Sequence, residues 1–198
     1  MTGAATVSGF SRLDSEAAGC PSRAMTSGCH RSVRASAFFV AFSPATVESM
    51  GGMHVVPSKT IDEVNPEEVA AFILPGGDRW EQQPIEPALE AKLRELDDRH
   101  VPIAAICGAT LAVAQLGLLK GRQHTSNGLA YLQSHVPGYS EAGCYVDLPA
   151  VRDRRLITAS GLADVEFARE LFEELDVLTV AERDEWAKIF RSARLPPA

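Results

Sequence analysis

The chain has 198 residues, which is enough for one well-packed domain and too few for two of ordinary size. Its formal net charge is −7, and its one basic cluster, Arg152-Asp153-Arg154-Arg155, is interpreted as a solvated turn, so no nucleic-acid partner is expected. No apolar run approaches the roughly 20 residues that cross a bilayer, and the first residues lack the apolar core of a secretion signal. We therefore expect a soluble, cytoplasmic protein with no membrane partner.

The predicted elements begin after an atypical segment. Residues 1–36 are rich in Gly, Ala, Ser and Arg without a sustained hydrophobic period, which indicates disorder or a start that departs from the rest of the chain; residues 37–198 are predicted to form the domain. Strands are predicted at 37–42, 53–57, 70–74 and 102–106, a polar strand or turn at 122–127, and a hairpin from 144–151 and 155–158. Helices are predicted at 85–100, 109–116, 129–135, 164–175 and 181–194. This alternation is typical of an α/β protein with a largely parallel sheet.

The four cysteines do not form a metal site or a disulfide framework by their spacing. Cys20, Cys29, Cys107 and Cys144 include no Cys-x-x-Cys pair, and no histidines follow them at zinc-finger spacing. We therefore expect no metal and no cofactor.

Cys107 has the most informative position of the four. It lies between a predicted apolar strand that ends at Ile106 and a predicted helix that begins at Ala109. The unpaired N–H groups of a helix's first turn favour a thiolate over a thiol, and Gly108 leaves the approach to the sulfur open. The strand, sharp turn and helix have the geometry of a hydrolase nucleophile elbow. A buried structural cysteine is the alternative.

A second loop is predicted to face this cysteine. Pro75-Gly76-Gly77-Asp78 follows the strand at 70–74, and loops after neighbouring parallel strands meet at the carboxyl edge of the sheet. The backbone N–H groups of Gly77 and Gly108 are then candidate oxyanion donors for an intermediate formed on Cys107. The alternative is an ordinary turn, in which Asp78 caps the next helix.

Four motifs in order and spacing carry a resemblance to a known family. They are 71–78, 102–110, 121–127 and 156–161, the last followed by Glu166-Phe167-Ala168. The chain resembles the DJ-1/PfpI superfamily, and within it the YoaZ-like, class I glutamine amidotransferase-like branch. The resemblance implies a flavodoxin-like three-layer sandwich with helices on both faces of the sheet and a nucleophilic Cys107. It also implies a homodimer, a small-molecule substrate and a stress-response role.

The resemblance also suggests acid and base partners for Cys107. In the family a glutamate at the end of the first strand, in a Gly-Phe-x-x-x-Glu segment, bonds the cysteine. The nearest match here is Gly9-Phe10 with Asp14 and Glu16, and Glu16, two residues too far along, is the candidate acid. Gly108 and Asn127 occupy the positions where members carry a histidine. His124, three residues before Asn127, is therefore the candidate base, and a polar strand residue is its alternative role. The candidate pocket residues are Gly76, Asp78, Thr110 and Asn127.

Two classes of function follow from these residues. The first is a cysteine-dependent hydrolase or a glyoxalase or deglycase-type enzyme that acts on small carbonyl or acyl substrates. The second is a non-catalytic redox sensor, ligand-binding module or chaperone. Glutaminase activity is not expected, because no histidine follows His135 to form the downstream His and Glu pair of true amidotransferases.

Overall fold

The computed structural model describes residues 7–12, for which it gives the backbone, and residues 35–49 and 51–192. The strands are β1 (Val7–Arg12), β2 (Ala35–Ala41), β3 (Val47–Glu48), β4 (His54–Val55), β5 (Lys59–Thr60), β6 (Val69–Leu74), β7 (Ile103–Ile106), β8 (Ala150–Asp153) and β9 (Leu156–Ala159). The α-helices are α1 (Arg79–Gln82), α2 (Pro87–Asp98), α3 (Ala109–Gln115), α4 (Leu129–His135), α5 (Asp164–Glu174) and α6 (Val180–Ser192). Short 3₁₀ turns lie at Ile61–Glu63, Pro66–Glu68 and Glu141–Cys144.

Seven of the strands form one sheet in the order β5-β2-β1-β6-β7-β9-β8. Strands β6, β7 and β9 are parallel neighbours, β2 and β5 are parallel, and β8 closes the edge as an antiparallel hairpin partner of β9. The sheet is thus largely parallel, as predicted. Its carboxyl edge receives the loops that follow β6, β7 and β9.

The strands are buried on both faces because their side chains alternate between two apolar layers. Phe72, Ile103 and Leu156 belong to the core shared with α2, α3 and α4. Ala104 and Ile157, their neighbours in sequence, belong to the opposite core, which α5 covers. The predicted three-layer arrangement, with helices on both faces of the sheet, is therefore present.

Strand β1 occupies a central position but runs in the opposite direction to its neighbours. It pairs antiparallel with both β2 and β6, with Gly9 opposite Phe72. Since β1 and β6 are antiparallel, β1 ends beside the amino end of β6, at the sheet edge opposite to that of Cys107. Glu16 lies outside the described residues, so its assignment as the acid stays a prediction, as does the domain boundary at residue 37.

The predicted elements match the observed ones closely where they are long. Helix 129–135 is found with the same bounds, and the helices predicted at 85–100, 164–175 and 181–194 differ by a few residues at their ends. The strand predicted at 53–57 is only the two-residue β4, which pairs with β3 in a separate small ribbon. The segment 122–127 contributes a single bridge between His124 and Tyr145.

The interpretation of the basic cluster as a solvated turn is wrong for Arg152 and Asp153, which both belong to β8. Arg152 lies on β8, and its guanidinium bonds Glu170, Glu173 and Glu174 of α5 at 3.3, 2.6 and 3.2 Å. These carboxylates raise the pKa of the half-buried arginine, against the desolvation that lowers it. Arg152 therefore ties the edge hairpin to the helix that packs on it.

Candidate active site

Cys107 lies at a sharp turn between β7 and α3. Its φ is +60°, in the left-handed region that residues other than glycine seldom adopt. Three hydrogen bonds hold this backbone. Cys107 N–H donates to Ala159 O at 3.0 Å, and Cys107 O accepts from the Thr110 hydroxyl at 2.7 Å and from Thr110 N–H at 3.1 Å. The turn projects a half-buried, reduced thiol from the carboxyl edge of the sheet.

Two glycines leave room for the sulfur. A Cβ atom at Gly161 would lie 2.7 Å from Cys107 Sγ, and one at Gly76 would lie 2.8 Å from Cys107 Cβ and 3.6 Å from Sγ. Both separations to the nearest cysteine atom are shorter than real side chains allow, since carbon contacts are ordinarily about 3.5–4.0 Å. The loops after β6 and β9 can therefore close on Cys107 only because they carry glycine there.

Asn127 connects the sulfur to the loop after β9. Its Oδ1 accepts a hydrogen bond from Gly161 N–H at 2.9 Å, and its Nδ2 donates to Cys107 Sγ at 3.5 Å. The backbone N–H of Gly161 needs an acceptor, and this fixes which end of the amide faces the sulfur. Asn127 is thus a hydrogen-bond donor to Sγ.

Gly77 and Gly108 lie side by side next to Cys107. A Cβ atom at Gly108 would come within 2.8 Å of Gly77 O and 3.4 Å of Trp80 Cδ1. Trp80 is buried and fixes the loop by donating its Nε1–H to Pro75 O at 2.8 Å. The backbone N–H groups of both glycines have no acceptor among the described residues. These two N–H groups stay candidate donors for an oxygen atom of a ligand bound at Cys107.

His124, the candidate base, is occupied elsewhere. It is completely buried, its Nδ1 lies 2.7 Å from Arg122 O, and its Nε2 lies 2.6 Å from Tyr139 Oη. Because a carbonyl can only accept, Nδ1 carries the proton and Nε2 accepts from the Tyr139 hydroxyl. Tyr145 adds an edge-on ring contact. These contacts give His124 a structural role, because both of its ring nitrogens have partners other than Cys107.

Thr110, one of the candidate pocket residues, lies in the interior of the protein, and Asp78 does not cap the helix that follows it. Thr110 is fully buried, and its hydroxyl lies 2.6 Å from Ser126 Oγ in addition to its bond with Cys107 O, so it supports the elbow from inside the protein. Asp78 precedes α1 but makes no capping hydrogen bond with its side chain. Gly76 and Asn127 are the candidate pocket residues that the structure brings to the sulfur.

A tyrosine beside the site was not singled out from the sequence. Tyr131, on α4, donates its hydroxyl to Glu81 Oε1 on α1 at 2.6 Å. Burial, the Glu81 carboxylate and the nearby Cys107 all raise the pKa of this phenol, so it stays protonated at neutral pH. The bond ties the helix after the Gly76-Gly77 loop to the helix after Asn127. Neither residue belongs to a motif, and only their tertiary contact indicates this role.

A cleft of about 400 Å³ opens beside Asn127, the residue that donates to Cys107 Sγ, and Cys107 itself is not among the residues that line it. Asn127 lines it, as do Ser160 and Leu162, the residues on either side of Gly161. The remaining lining residues come mainly from the segment before β8 and the start of α5: Ser126, Gly128, Tyr145, Asp147, Leu148, Pro149, Ala163 and Glu166. A ligand in this cleft would lie against the residues that enclose Cys107.

Within residues 35–49 and 51–192, no three His, Cys, Asp or Glu side chains are grouped so that they could hold a metal ion. None of the described helices has both the length and the apolar character needed to cross a bilayer.

Comparisons with known proteins agree with this geometry. The DJ-1/PfpI family model matches residues 19–174. The chain is 37% identical over 148 residues, 75% of this chain and 70% of the relative, to the uncharacterized protease YoaZ of Bacillus subtilis (strain 168). It is 32% identical over 89 residues to the deglycase PH1704 of Pyrococcus horikoshii, a match that spans 45% of this chain and 54% of that relative.

Solved structures give the same result. A thiJ/pfpI family protein from Bacillus anthracis has a TM-score of 0.72 and 34% identity, covering 78% of this chain and 73% of that one. The DJ-1 superfamily protein Atu0886 from Agrobacterium tumefaciens has a TM-score of 0.70 and 31% identity, covering 78% and 82%. The flavodoxin-like fold is therefore confirmed, and the chain belongs to the DJ-1/PfpI family.

Proposed function

We propose that this protein is a cysteine-dependent enzyme in which the Cys107 sulfur attacks a small carbonyl or acyl substrate. The observation that carries the proposal is the strained backbone of Cys107, φ +60°, with an amide donor on the sulfur and two free backbone donors beside it. A buried structural cysteine needs neither a strained turn nor a cleft. Strained residues persist where the surrounding structure enforces them, and they concentrate at active sites.

The first step of the proposed reaction is nucleophilic addition of the Cys107 sulfur to the carbonyl group of the substrate. The thiolate sulfur attacks the carbonyl carbon, the S–C bond forms, and the π electron pair of the carbonyl moves to its oxygen. The N–H groups of Gly77 and Gly108 bind that oxyanion. The sulfur loses its negative charge as the S–C bond forms, so the hydrogen bond that Asn127 donates to it weakens. Donors of this kind each contribute on the order of a hundredfold or more to acyl transfer when they are preorganised.

The fate of the oxyanion depends on the substrate. With an ester or peptide, the oxyanion collapses and expels the alkoxide or amine, which takes up a proton, and water then hydrolyses the thioester to a carboxylic acid and free Cys107. With a dicarbonyl, the oxyanion is protonated to a thiohemiacetal. The relatives named protease and deglycase make both substrate classes reasonable to test.

Cys107 has a second candidate role, in which it does not catalyse a reaction. No carboxylate or imidazole among the described residues bonds Cys107 Sγ, and this favours the alternative of a redox sensor, in which the sulfur is oxidised by a peroxide to sulfenic acid with release of water or alcohol. The homodimer and the stress-response role stay predictions of the resemblance, and the cytoplasmic location stays a prediction from the sequence. Light scattering of the purified protein measures the first.

The experiment that tests the proposal compares turnover by wild type, Cys107→Ser and Cys144→Ser. The assays are hydrolysis of p-nitrophenyl acetate, cleavage of a fluorogenic peptide and consumption of methylglyoxal. Cys144 is the matched control because it is also free and half-buried. We expect Cys107→Ser to abolish turnover of at least one substrate class, with Cys144→Ser unchanged. Equal turnover by all three proteins would overturn the proposal.

A further inference from the structure

The cleft beside Asn127 has both apolar and charged walls, and it borders on Cys107 through Asn127 and the residues on either side of Gly161. Leu162, directly after Gly161, is 96% exposed, and Leu148 is 54% exposed. Pro149, which is also exposed, adds apolar surface to the same cleft. Large apolar side chains this exposed beside a nucleophile are suited to cover an apolar part of a ligand.

The charge in the cleft is negative and is not balanced. Two carboxylates line it, those of Asp147 and Glu166, and no lysine, arginine or histidine lines it. Glu166 is paired with Arg191 of α6 at 2.7 Å. Asp147 is exposed and makes no hydrogen bond or ion pair with the described residues. Asp147 therefore supplies the uncompensated charge of the cleft.

We infer that this cleft selects carbonyl or acyl substrates whose remaining part is a short apolar chain that ends in a cation, such as an ammonium group. Leu148 and Leu162 cover the chain, and the Asp147 carboxylate attracts the charged end. Substrates that carry a carboxylate are disfavoured, because the cleft offers them a negative charge and no cation. The inference rests on the proposed function, since it assigns the substrate class of the same cysteine.

The charge preference can be measured on Cys107 without an assay of turnover. Two methanethiosulfonate reagents of similar size are used, one bearing a trimethylammonium group and one bearing a sulfonate. In each case the Cys107 thiolate attacks the sulfenyl sulfur, a disulfide forms and methanesulfinate leaves with the electron pair. Peptide mass spectrometry gives both rates at Cys107, and the ratio of rates is divided by the ratio measured with free 2-mercaptoethanol.

Three variants give different predictions for the normalised ratio of rates: one lowers it, one raises it and one leaves it unchanged. In wild type the normalised ratio of cation to anion rates is at least threefold, as expected for one partly screened charge acting on reagents that differ by two charges. Asp147→Asn brings the ratio towards one. Arg191→Gln frees the Glu166 carboxylate and raises the ratio, and Asp62→Asn, a change of the same type at an exposed site on another element, leaves it unchanged. Salt reduces the ratio in wild type.

The outcomes separate this inference from the proposed function. If Cys107 reacts with neither reagent, the proposed nucleophile fails, and the substrate assignment fails with it. If Cys107 reacts with both, but the normalised ratio is near one and does not respond to Asp147→Asn or Arg191→Gln, the inference is overturned while the nucleophile stands. A ratio that falls in the first variant and rises in the second supports it.

Discussion

Replacing Gly161 by alanine tests the enclosure of the sulfur. The added Cβ atom would lie 2.7 Å from Cys107 Sγ, 3.0 Å from Cys107 Cβ and 3.4 Å from Asn127 Oδ1. Since ordinary carbon contacts are about 3.5–4.0 Å, the sulfur and the new methyl group must separate by about 1 Å. The backbone of Cys107 is held on both sides by Ala159 and Thr110, so the side chain or the 160–162 loop has to move.

Either movement breaks the contact between Asn127 and the sulfur. Overpacking of this kind costs about 1–3 kcal/mol, and the same amount added to a rate barrier slows a reaction by roughly fivefold to more than a hundredfold. We expect Gly161→Ala to unfold at lower urea concentration than wild type and to react with iodoacetamide at Cys107 at least about five times more slowly. Substrate turnover should fall in parallel.

The matched control is Gly143→Ala. Gly143 is also exposed, and an added Cβ atom there meets nothing within 4 Å. This variant should retain the wild-type stability and the wild-type alkylation rate. If Gly161→Ala alkylates Cys107 as fast as Gly143→Ala does, the reasoning about the enclosed sulfur is refuted.

Three further predictions concern single side chains. Asn127→Asp keeps the size of the side chain and can still accept from Gly161 N–H, but it places a carboxylate where the amide donates to the sulfur. Alkylation of Cys107 should be slower in this variant than in Asn127→Ala, and equal rates would argue against the donor role. Arg152→Ala removes the ion pairs between β8 and α5 and leaves Glu174, whose side chain is 9% exposed, with fewer partners. Urea unfolding should show that the free energy of unfolding falls by about 1–3 kcal/mol. A fall below about 0.5 kcal/mol would contradict this reasoning. The hydrogen bond from Gly121 N–H lowers the pKa of Glu141, so the carboxylate adds stability above its unfolded pKa, and this stability is lost as the pH falls through the lower folded pKa. In thermal melts Glu141→Gln should therefore lose less stability than wild type between about pH 5 and pH 3. Parallel stability curves for the two proteins would refute the assignment.

The approach of two loops to one cysteine could be predicted from sequence because it follows from topology. Apolar runs with helices between them predict parallel strands, and parallel strands bring the loops after residues 74 and 106 to one edge. Gly76 and Cys107 accordingly meet in the structure. The neighbour on the other side, Gly161, could not be identified in this way, because its position depends on the register that places Ala159 opposite Ile106.

The direction of β1 and the role of His124 depend on contacts with residues that are distant in the sequence, so the local sequence does not predict them. Alternation of side chains specifies a strand but not whether it runs parallel or antiparallel to its neighbours, and β1 is antiparallel to both. The position of His124 in the sequence suggested a base near Cys107. Its burial against Tyr139, which lies 15 residues later, is visible only in the folded chain.

Alkylation of the native protein tests the central claim most directly. Limiting iodoacetamide is added at one neutral pH, and peptide mass spectrometry follows Cys107 against Cys20, Cys29 and Cys144, so that the protein is its own control. The account predicts that Cys107 is modified first and at least ten times faster than Cys144, the other half-buried free thiol. Modification of Cys107 no faster than that of Cys144 would contradict the claim that the turn after β7 presents a nucleophile.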